Sequence, residues 1–97
     1  NKHQIVRITR EPNSKGIWEA VIKAKIPGEE TWITKDSPTT LFPAHWSKSD
    51  LRKHVKQAYS NRYKISPNLY KGETESGISI VFIIKNHKII SVYPMYE

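Results

Sequence analysis

The sequence predicts an α+β domain, in which an antiparallel sheet of four to six strands ends in a C-terminal hairpin and packs on one or more helices. Two observations support this class. Strand-like alternation of polar and apolar residues dominates both ends of the chain, and the one clear helical apolar stripe falls between about 48 and 60. The length of 97 residues is that of one domain, so we expect residues 1–97 to form a single unit.

The N-terminal part is predicted to contain three short strands. Residues 4–9 form the first, and dense turn chemistry follows it. The second strand, 17–25, alternates so that its even positions should face the core. A Pro-Gly turn then leads to a brief third strand at 31–34. The prolines after that strand predict an irregular connection over 36–43.

The main helix is predicted over about 48–60. Ser47 is suited to the N-cap because its hydroxyl can accept a hydrogen bond from a free amide of the first turn. Asp50 favours the positive end of the helix dipole. The apolar stripe consists of Leu51, Val55, Ala58 and Tyr59. Residues 61–77 are rich in Asn, Pro, Gly and Ser, and we predict a long loop there.

The C-terminal hairpin is the strongest local signal. Strands over 78–85 and 88–93 flank a two-residue turn, Asn86-His87, in which Asn tolerates positive φ. The first of these strands is apolar at nearly every position. We therefore expect it to be central in the sheet and covered on both faces.

Composition limits the classes of function. The chain has 16 Lys and Arg against 9 Asp and Glu, a net charge of +7, which indicates a polyanionic partner such as nucleic acid or an acidic protein. The lack of Cys excludes disulfides and Cys-ligated metals, and no HExxH or i,i+4 His pair suggests a metal site. The glycines fall in predicted turns without a phosphate-binding motif, so we expect neither metal nor cofactor. No apolar run is long enough to span a membrane. The first residue is not Met, which suggests a domain excised from a longer protein.

Basic and aromatic residues are interleaved from the helix onwards. This pattern suits single-stranded RNA, in which phosphates contact cations and unpaired bases stack on aromatic rings. The alternative is a solvated helix face with tyrosines that complete the core. The pattern alone favours this alternative for each residue, whereas the net charge of +7 favours nucleic acid for the set as a whole. A non-catalytic RNA-binding module that uses the basic helix and the tyrosines is therefore one candidate function. The residues concerned are Lys53, Lys56, Tyr59, Arg62, Tyr63, Lys64, Tyr70 and Lys71.

His3 is the histidine that best fits a role in proton transfer. It precedes Arg7 and Arg10 along the first predicted strand, and a His beside cations can transfer protons near a phosphate. The alternative is a terminal His without a function. The other three histidines have structural explanations: packing or capping for His45, a surface or flank position on the helix for His54, and an exposed hairpin turn for His87.

Two motifs resemble those of bacterial EndoU-type ribonuclease toxins. In the run 35–47, a Lys precedes Thr-Thr-Leu-Phe-Pro-Ala-His-Trp-Ser, which leads directly into the helix. The segment 91–94, Ser-Val-Tyr-Pro, is similar to the Thr/Ser-x-Tyr-Pro of the family's last strand. Residues 16–21 look like the strand that precedes the family's Lys, so the resemblance covers 16–97.

The resemblance implies an endoribonuclease that uses the RNA 2′-OH as nucleophile and leaves a 2′,3′-cyclic phosphate, with tRNA among the suggested targets. Lys35 would be the catalytic Lys, because an ammonium near the scissile phosphate stabilises the charge of the phosphorane. Thr39 would hydrogen-bond the base, and Tyr93 would stack on or orient the nucleotide. The further candidates for contact with the substrate are Ser91, Thr40, Trp46, Lys53 and Lys56.

The chain departs from the family in its histidines. The family's two catalytic histidines lie upstream of the Lys, the second in a Gly-Gly-x-His setting that this chain lacks. Either an upstream segment supplies them, or His3 acts with Arg7 or Arg10. We take the second as the working hypothesis. It requires the first strand to lie beside the C-terminal hairpin.

Members of the family are C-terminal toxins of polymorphic secretion systems, including contact-dependent growth inhibition. The resemblance therefore implies a secreted or cell-surface-delivered module that acts in the cytoplasm of a target bacterium. It also implies an acidic cognate immunity protein as partner, and a monomer when that partner is absent.

Overall fold

The computed structural model describes residues 3–97, which form one helix and eight strands in two antiparallel sheets of four. The α+β class and the C-terminal hairpin are confirmed, with the strands divided between two sheets. The elements follow one another as β1 (His3–Arg10), β2 (Trp18–Lys25), β3 (Trp32–Thr34), β4 (Thr39–Leu41), α1 (Lys48–Ser60), β5 (Tyr63–Ser66), β6 (Leu69–Glu73), β7 (Ser79–Lys85) and β8 (Lys88–Pro94).

Strand β2 is the centre of the first sheet. It pairs with β1 along one edge and with β3 and then β4 along the other. Its middle residues, Ala20, Val21 and Ile22, are all buried, so both faces are covered there. β4 lies within 36–43, where an irregular connection was predicted. The error has a simple reason, since a three-residue strand between two prolines leaves no alternation to detect.

Strand β1 is an exposed edge strand that pairs with β2. Its expected place beside the C-terminal hairpin is therefore wrong. The loop after β1 favours the local pairing, because the side chain of Asn13 accepts hydrogen bonds from the amides of Lys15 and Ile17, both 2.9 Å long. Gly16 completes this reversal with a φ of 86°, a conformation that favours glycine.

The second sheet has the order β5-β6-β7-β8. The predicted loop over 61–77 is wrong, because it contains β5 and β6. Every residue of β5 is exposed at this edge, so the strand has no buried face that a sequence pattern could report. The predicted hairpin turn is confirmed by positive φ at Asn86 (50°) and His87 (64°), and β7 lies between β6 and β8 as expected.

The helix α1 packs on one face of the second sheet. Its start is fixed by a capping box, in which Ser47 and Asp50 each bond the other's backbone amide at 3.0 Å. Its last turn lies directly on β6 at Gly72, and Tyr59 meets the edge of Phe82 at 5.5 Å between ring centroids. The buried cluster between helix and sheets comprises Ile17, Ala58, Ile78, Ile80 and Phe82. Within residues 3–97, no helix has both the length and the apolar character needed to cross a membrane.

Candidate active site

Lys35 and Thr39 are brought onto one face of the first sheet by the break between β3 and β4. The amide of Lys35 donates to the carbonyl of Ile22 at 2.9 Å, which continues the register of the β2–β3 pair. Thr39 lies opposite Ala20. Because Ala20 and Ile22 are two residues apart on β2, the Cα atoms of Lys35 and Thr39 are about 7 Å apart on the same face, with residues 36–38 looped out.

Ser91 and Tyr93 occupy the face of the second sheet that points away from the helix. Ser91 lies opposite Ile83 and Tyr93 opposite Val81, whereas Val92 between them pairs with Phe82 of the core. Because side chains alternate along a strand, Val92 anchors β8 in the core, whereas Ser91 and Tyr93 present polar groups on the other face.

A cavity of about 470 Å³ forms where β4 approaches β8. It brings together residues from two segments of the chain, 35–42 and 91–93, and five of them are predicted site residues. The lining consists of Lys35, Pro38, Thr39, Thr40, Leu41, Phe42, Ser91, Val92 and Tyr93.

The lining of the cavity carries one positive charge, that of Lys35. Lys35 is exposed, and none of the three ion pairs found among residues 3–97 involves it. The lining contains no carboxylate but has the hydroxyl groups of Thr39, Thr40, Ser91 and Tyr93. These groups can both donate and accept hydrogen bonds, as a sugar or base edge requires. Within the described part of the chain, no three His, Cys, Asp or Glu side chains gather closely enough to hold a metal ion.

His3 lies on the correct face of the first sheet but outside this cavity. It pairs with Ala24, which is two residues from Ile22 on β2 and therefore on the same face. Strand β2 runs between His3 and Lys35, so two strand spacings separate their backbones by about 10 Å or more. His3 is not among the lining residues. Its role in proton transfer stays a prediction.

Arg7 and Arg10 are directed away from the cavity. Arg7 pairs with Val21 and Arg10 with Glu19, which places both on the face of β2 opposite Lys35. The guanidinium of Arg10 lies 3.7 Å from the Glu19 carboxylate and 4.9 Å from the centre of the Tyr96 ring. These contacts indicate that Arg10 has a structural role, in which it links β2 to the C-terminal segment.

Trp46 supports the helix start and does not line the cavity. Its ring stacks on His54 at 4.1 Å and on Phe42 at 5.8 Å between centroids, and it packs against the core. Lys53 and Lys56 are exposed on α1 and likewise do not line the cavity. The structure therefore brings together Lys35, Thr39, Thr40, Ser91 and Tyr93, but not the remaining candidates.

The helix start beside this site is held by charge as well as by hydrogen bonds. The backbone amide and then the hydroxyl of Ser47 lower the pKa of the Asp50 carboxyl, and His54 and His45 contribute smaller attractions. His54 in turn bonds the Asp50 carbonyl through Nδ1 at 2.7 Å. The carboxylate thus remains charged at the positive end of the helix.

The apolar walls of the cavity were not anticipated as part of a site. Phe42 and Val92 line it together, and Phe42 also accepts a hydrogen bond from the indole of Trp18 through its carbonyl, at 3.0 Å. The sequence gives one usable signal for Phe42, its position between Thr39 and Trp46 in the motif. Val92 has none, because a Val in a strand is expected in any core.

Comparisons with known proteins identify the family of the chain. The family model for the bacterial EndoU nuclease matches residues 1–96. A protein named Toxin from Bacillus cereus is 39% identical over 57 residues, which cover 58% of this chain and 10% of that relative. The chain thus aligns with only a small part of that longer protein. A search of solved structures gives no significant match. Since the family match extends over nearly the whole chain, the chain belongs to the bacterial EndoU nuclease family.

Proposed function

We propose that the domain is a metal-independent endoribonuclease toxin that cleaves RNA by internal transesterification. The observation that carries the proposal is the single cavity in which Lys35 and Thr39 meet Ser91 and Tyr93. A cation without a carboxylate partner, surrounded by hydroxyl groups, suits a phosphodiester whose charge rises during the reaction. The family and the Toxin of Bacillus cereus support a nuclease toxin.

In this reaction the 2′-oxygen attacks the adjacent phosphorus, and a general base takes the 2′-proton. The bond from phosphorus to the 5′-oxygen breaks, and that oxygen gains a proton from a general acid. The products are a 2′,3′-cyclic phosphate and a free 5′-hydroxyl, so no water is consumed. The Lys35 ammonium would stabilise the non-bridging oxygens in the transition state. Because DNA has no 2′-hydroxyl, the reaction selects RNA.

The remaining polar groups would position the substrate. Thr39 and Ser91 can hydrogen-bond a base edge, and the Tyr93 ring can stack on a base or orient the nucleotide. His3 is the candidate general base in this chain. The proposed target is RNA such as tRNA, reached after delivery of the domain into a bacterial cytoplasm.

The test is cleavage of RNA in the presence of a chelator, with detection of 2′,3′-cyclic phosphate ends. We expect Lys35→Ala to lower kcat by about 10²- to 10³-fold, the usual effect of removing one group that stabilises transition-state charge. Lys25→Ala is the matched control, because Lys25 is a cation of the same sheet that pairs with Glu30 at 3.1 Å, away from the cavity. Binding of RNA without cleavage by the unmodified domain would replace the proposal with an RNA-binding module.

An acidic immunity protein is the proposed partner. The net charge of +7 favours fast association with an acidic surface, and salt screens this attraction. The association rate with a purified cognate protein should therefore fall steeply as the salt concentration rises. A rate that does not respond to salt would contradict a charge-steered complex.

A further inference from the structure

A second cavity, of about 440 Å³, lies between the helix and β8. It shares two residues, Phe42 and Val92, with the candidate active site, so the two cavities have a common wall. Its full lining consists of Phe42, Lys48, Leu51, Arg52, Val55 and Val92. Nothing in the proposed cleavage chemistry uses this space.

Helical spacing divides the cavity into an apolar floor and a cationic rim. Leu51 and Val55 are four residues apart and therefore adjacent on one side of α1. Lys48 and Arg52 have the same spacing and form the next row. Both cations are exposed, and neither takes part in the ion pairs found among residues 3–97. Their charges are thus available to an anionic ligand.

We infer that this second cavity is a binding subsite for an RNA nucleotide one position beyond the two nucleotides that flank the scissile phosphate. The inference rests on the proposed function. A nucleotide offers a flat base for the apolar floor and a phosphate for Lys48 and Arg52, which is the combination that single-stranded nucleic acid binding uses. The shared wall of Phe42 and Val92 places this subsite one step from the cavity of Lys35.

The apolar floor and the cationic rim together limit which class of ligand fits this cavity. A small apolar ligand would leave two cations without a partner, and an inorganic phosphate would leave the apolar floor exposed to water. The connection to the candidate active site favours a polymer that occupies both cavities at once. A strand of RNA meets all three conditions.

The test compares two substrates in the purified domain. One is an RNA dinucleotide, which fills only the cavity of Lys35, and the other is an oligonucleotide of about 10 residues, within the range that single-strand binding folds cover. We expect the double variant Lys48→Ala/Arg52→Ala to lower kcat/KM about tenfold or more for the oligonucleotide and to leave that of the dinucleotide unchanged. The dependence of log kcat/KM on log salt should also become less steep by about 0.7 for the oligonucleotide, because the variant loses the contact with one phosphate of a single strand.

The control variant is Lys15→Ala/Lys25→Ala, which removes the same charge from cations paired with Glu97 and Glu30. This control should leave the ratio of kcat/KM for the oligonucleotide to kcat/KM for the dinucleotide unchanged. An equal loss on both substrates, no loss on either, or the same loss in the control variant overturns the subsite. Each of these results needs cleavage by the unmodified domain. If the unmodified domain cleaves neither substrate, the proposed function itself has failed.

Discussion

The contact between Gly72 and the helix sets the position of α1, and a single methyl group should break it. A Cβ built on Gly72 would lie 1.9 Å from the carbonyl oxygen of Ala58 and 2.6 Å from its carbonyl carbon. Ordinary contact begins near 3.4 Å, so in Gly72→Ala the helix must retreat by about 1.5 Å. Such a gap removes most of the dispersion contact between Tyr59 and Phe82. We therefore expect a cost at the upper end of the overpacking range, about 3 kcal/mol.

Thermal unfolding followed by circular dichroism measures this cost. For a domain of this size, about 3 kcal/mol corresponds to a fall in Tm of about 12 °C or more. Gly28→Ala is the control, because a Cβ there meets nothing within 4 Å and suffers only from the φ of 80°. Left-handed backbone costs about 1–2 kcal/mol, so the control should lose less. If Gly72→Ala melts no lower than Gly28→Ala, the close approach of helix and strand is not what holds α1 in place.

Variants at three further positions test the site and its supports. Tyr93→Ala should lower kcat/KM about tenfold or more because base stacking contributes about 1–3 kcal/mol, whereas Tyr93→Phe should retain most activity; equal losses would assign the effect to the hydroxyl group instead. His3→Ala should lower kcat about 10²-fold or more in single-turnover cleavage if His3 transfers a proton, and unchanged activity excludes it. The pKa of Asp50 is lowered in the fold, so its stabilising effect is fully present above the ordinary aspartate pKa and is lost as the pH falls through the lowered value. Asp50→Asn should therefore unfold more easily at neutral pH with a weaker acid dependence, and identical pH curves for both proteins would contradict the cap.

The helix and the hairpin were predictable because each has a local cause. The capping box of Ser47 and Asp50 and the turn at Asn86-His87 depend on residues within a few positions of one another. Strands β5 and β6 have no such cause. β5 is exposed along its whole length, so its pairing depends on the neighbouring strand rather than on its own pattern.

Gly72 is another feature that depends on a contact between distant parts of the chain. Together with the other glycines it was placed in a predicted turn, yet it is buried in β6 beneath the helix. A glycine in a strand often marks the close approach of another backbone, and here that backbone is Ala58. The sequence could not identify this neighbour. The contact joins the helix, which was predicted, to β6, which was predicted as loop.

The residues of the candidate site were predictable from local motifs, but their convergence was not. Lys35 and Thr39 belong to one motif, and Ser91 and Tyr93 to another, so each pair was found through local spacing and resemblance. Their convergence in one cavity depends on β4 lying near β8, a contact between two sheets that no local pattern specifies. The same distinction explains the error at β1, whose pairing with β2 follows from a short loop, while the expected pairing with the hairpin had no such support.

The spacing between Lys35 and Thr39 has a structural reason that the motif alone does not reveal. In an uninterrupted strand, residues four apart are separated by about 13 Å, too far to contact one phosphate and its base. Because residues 36–38 are looped out, the partners of Lys35 and Thr39 are only two positions apart on β2, which halves that separation and keeps both on one face. A loop shorter or longer by one residue would reverse the face of whichever strand slipped. The break between β3 and β4 is thus the feature that turns a strand edge into a candidate site for a nucleotide.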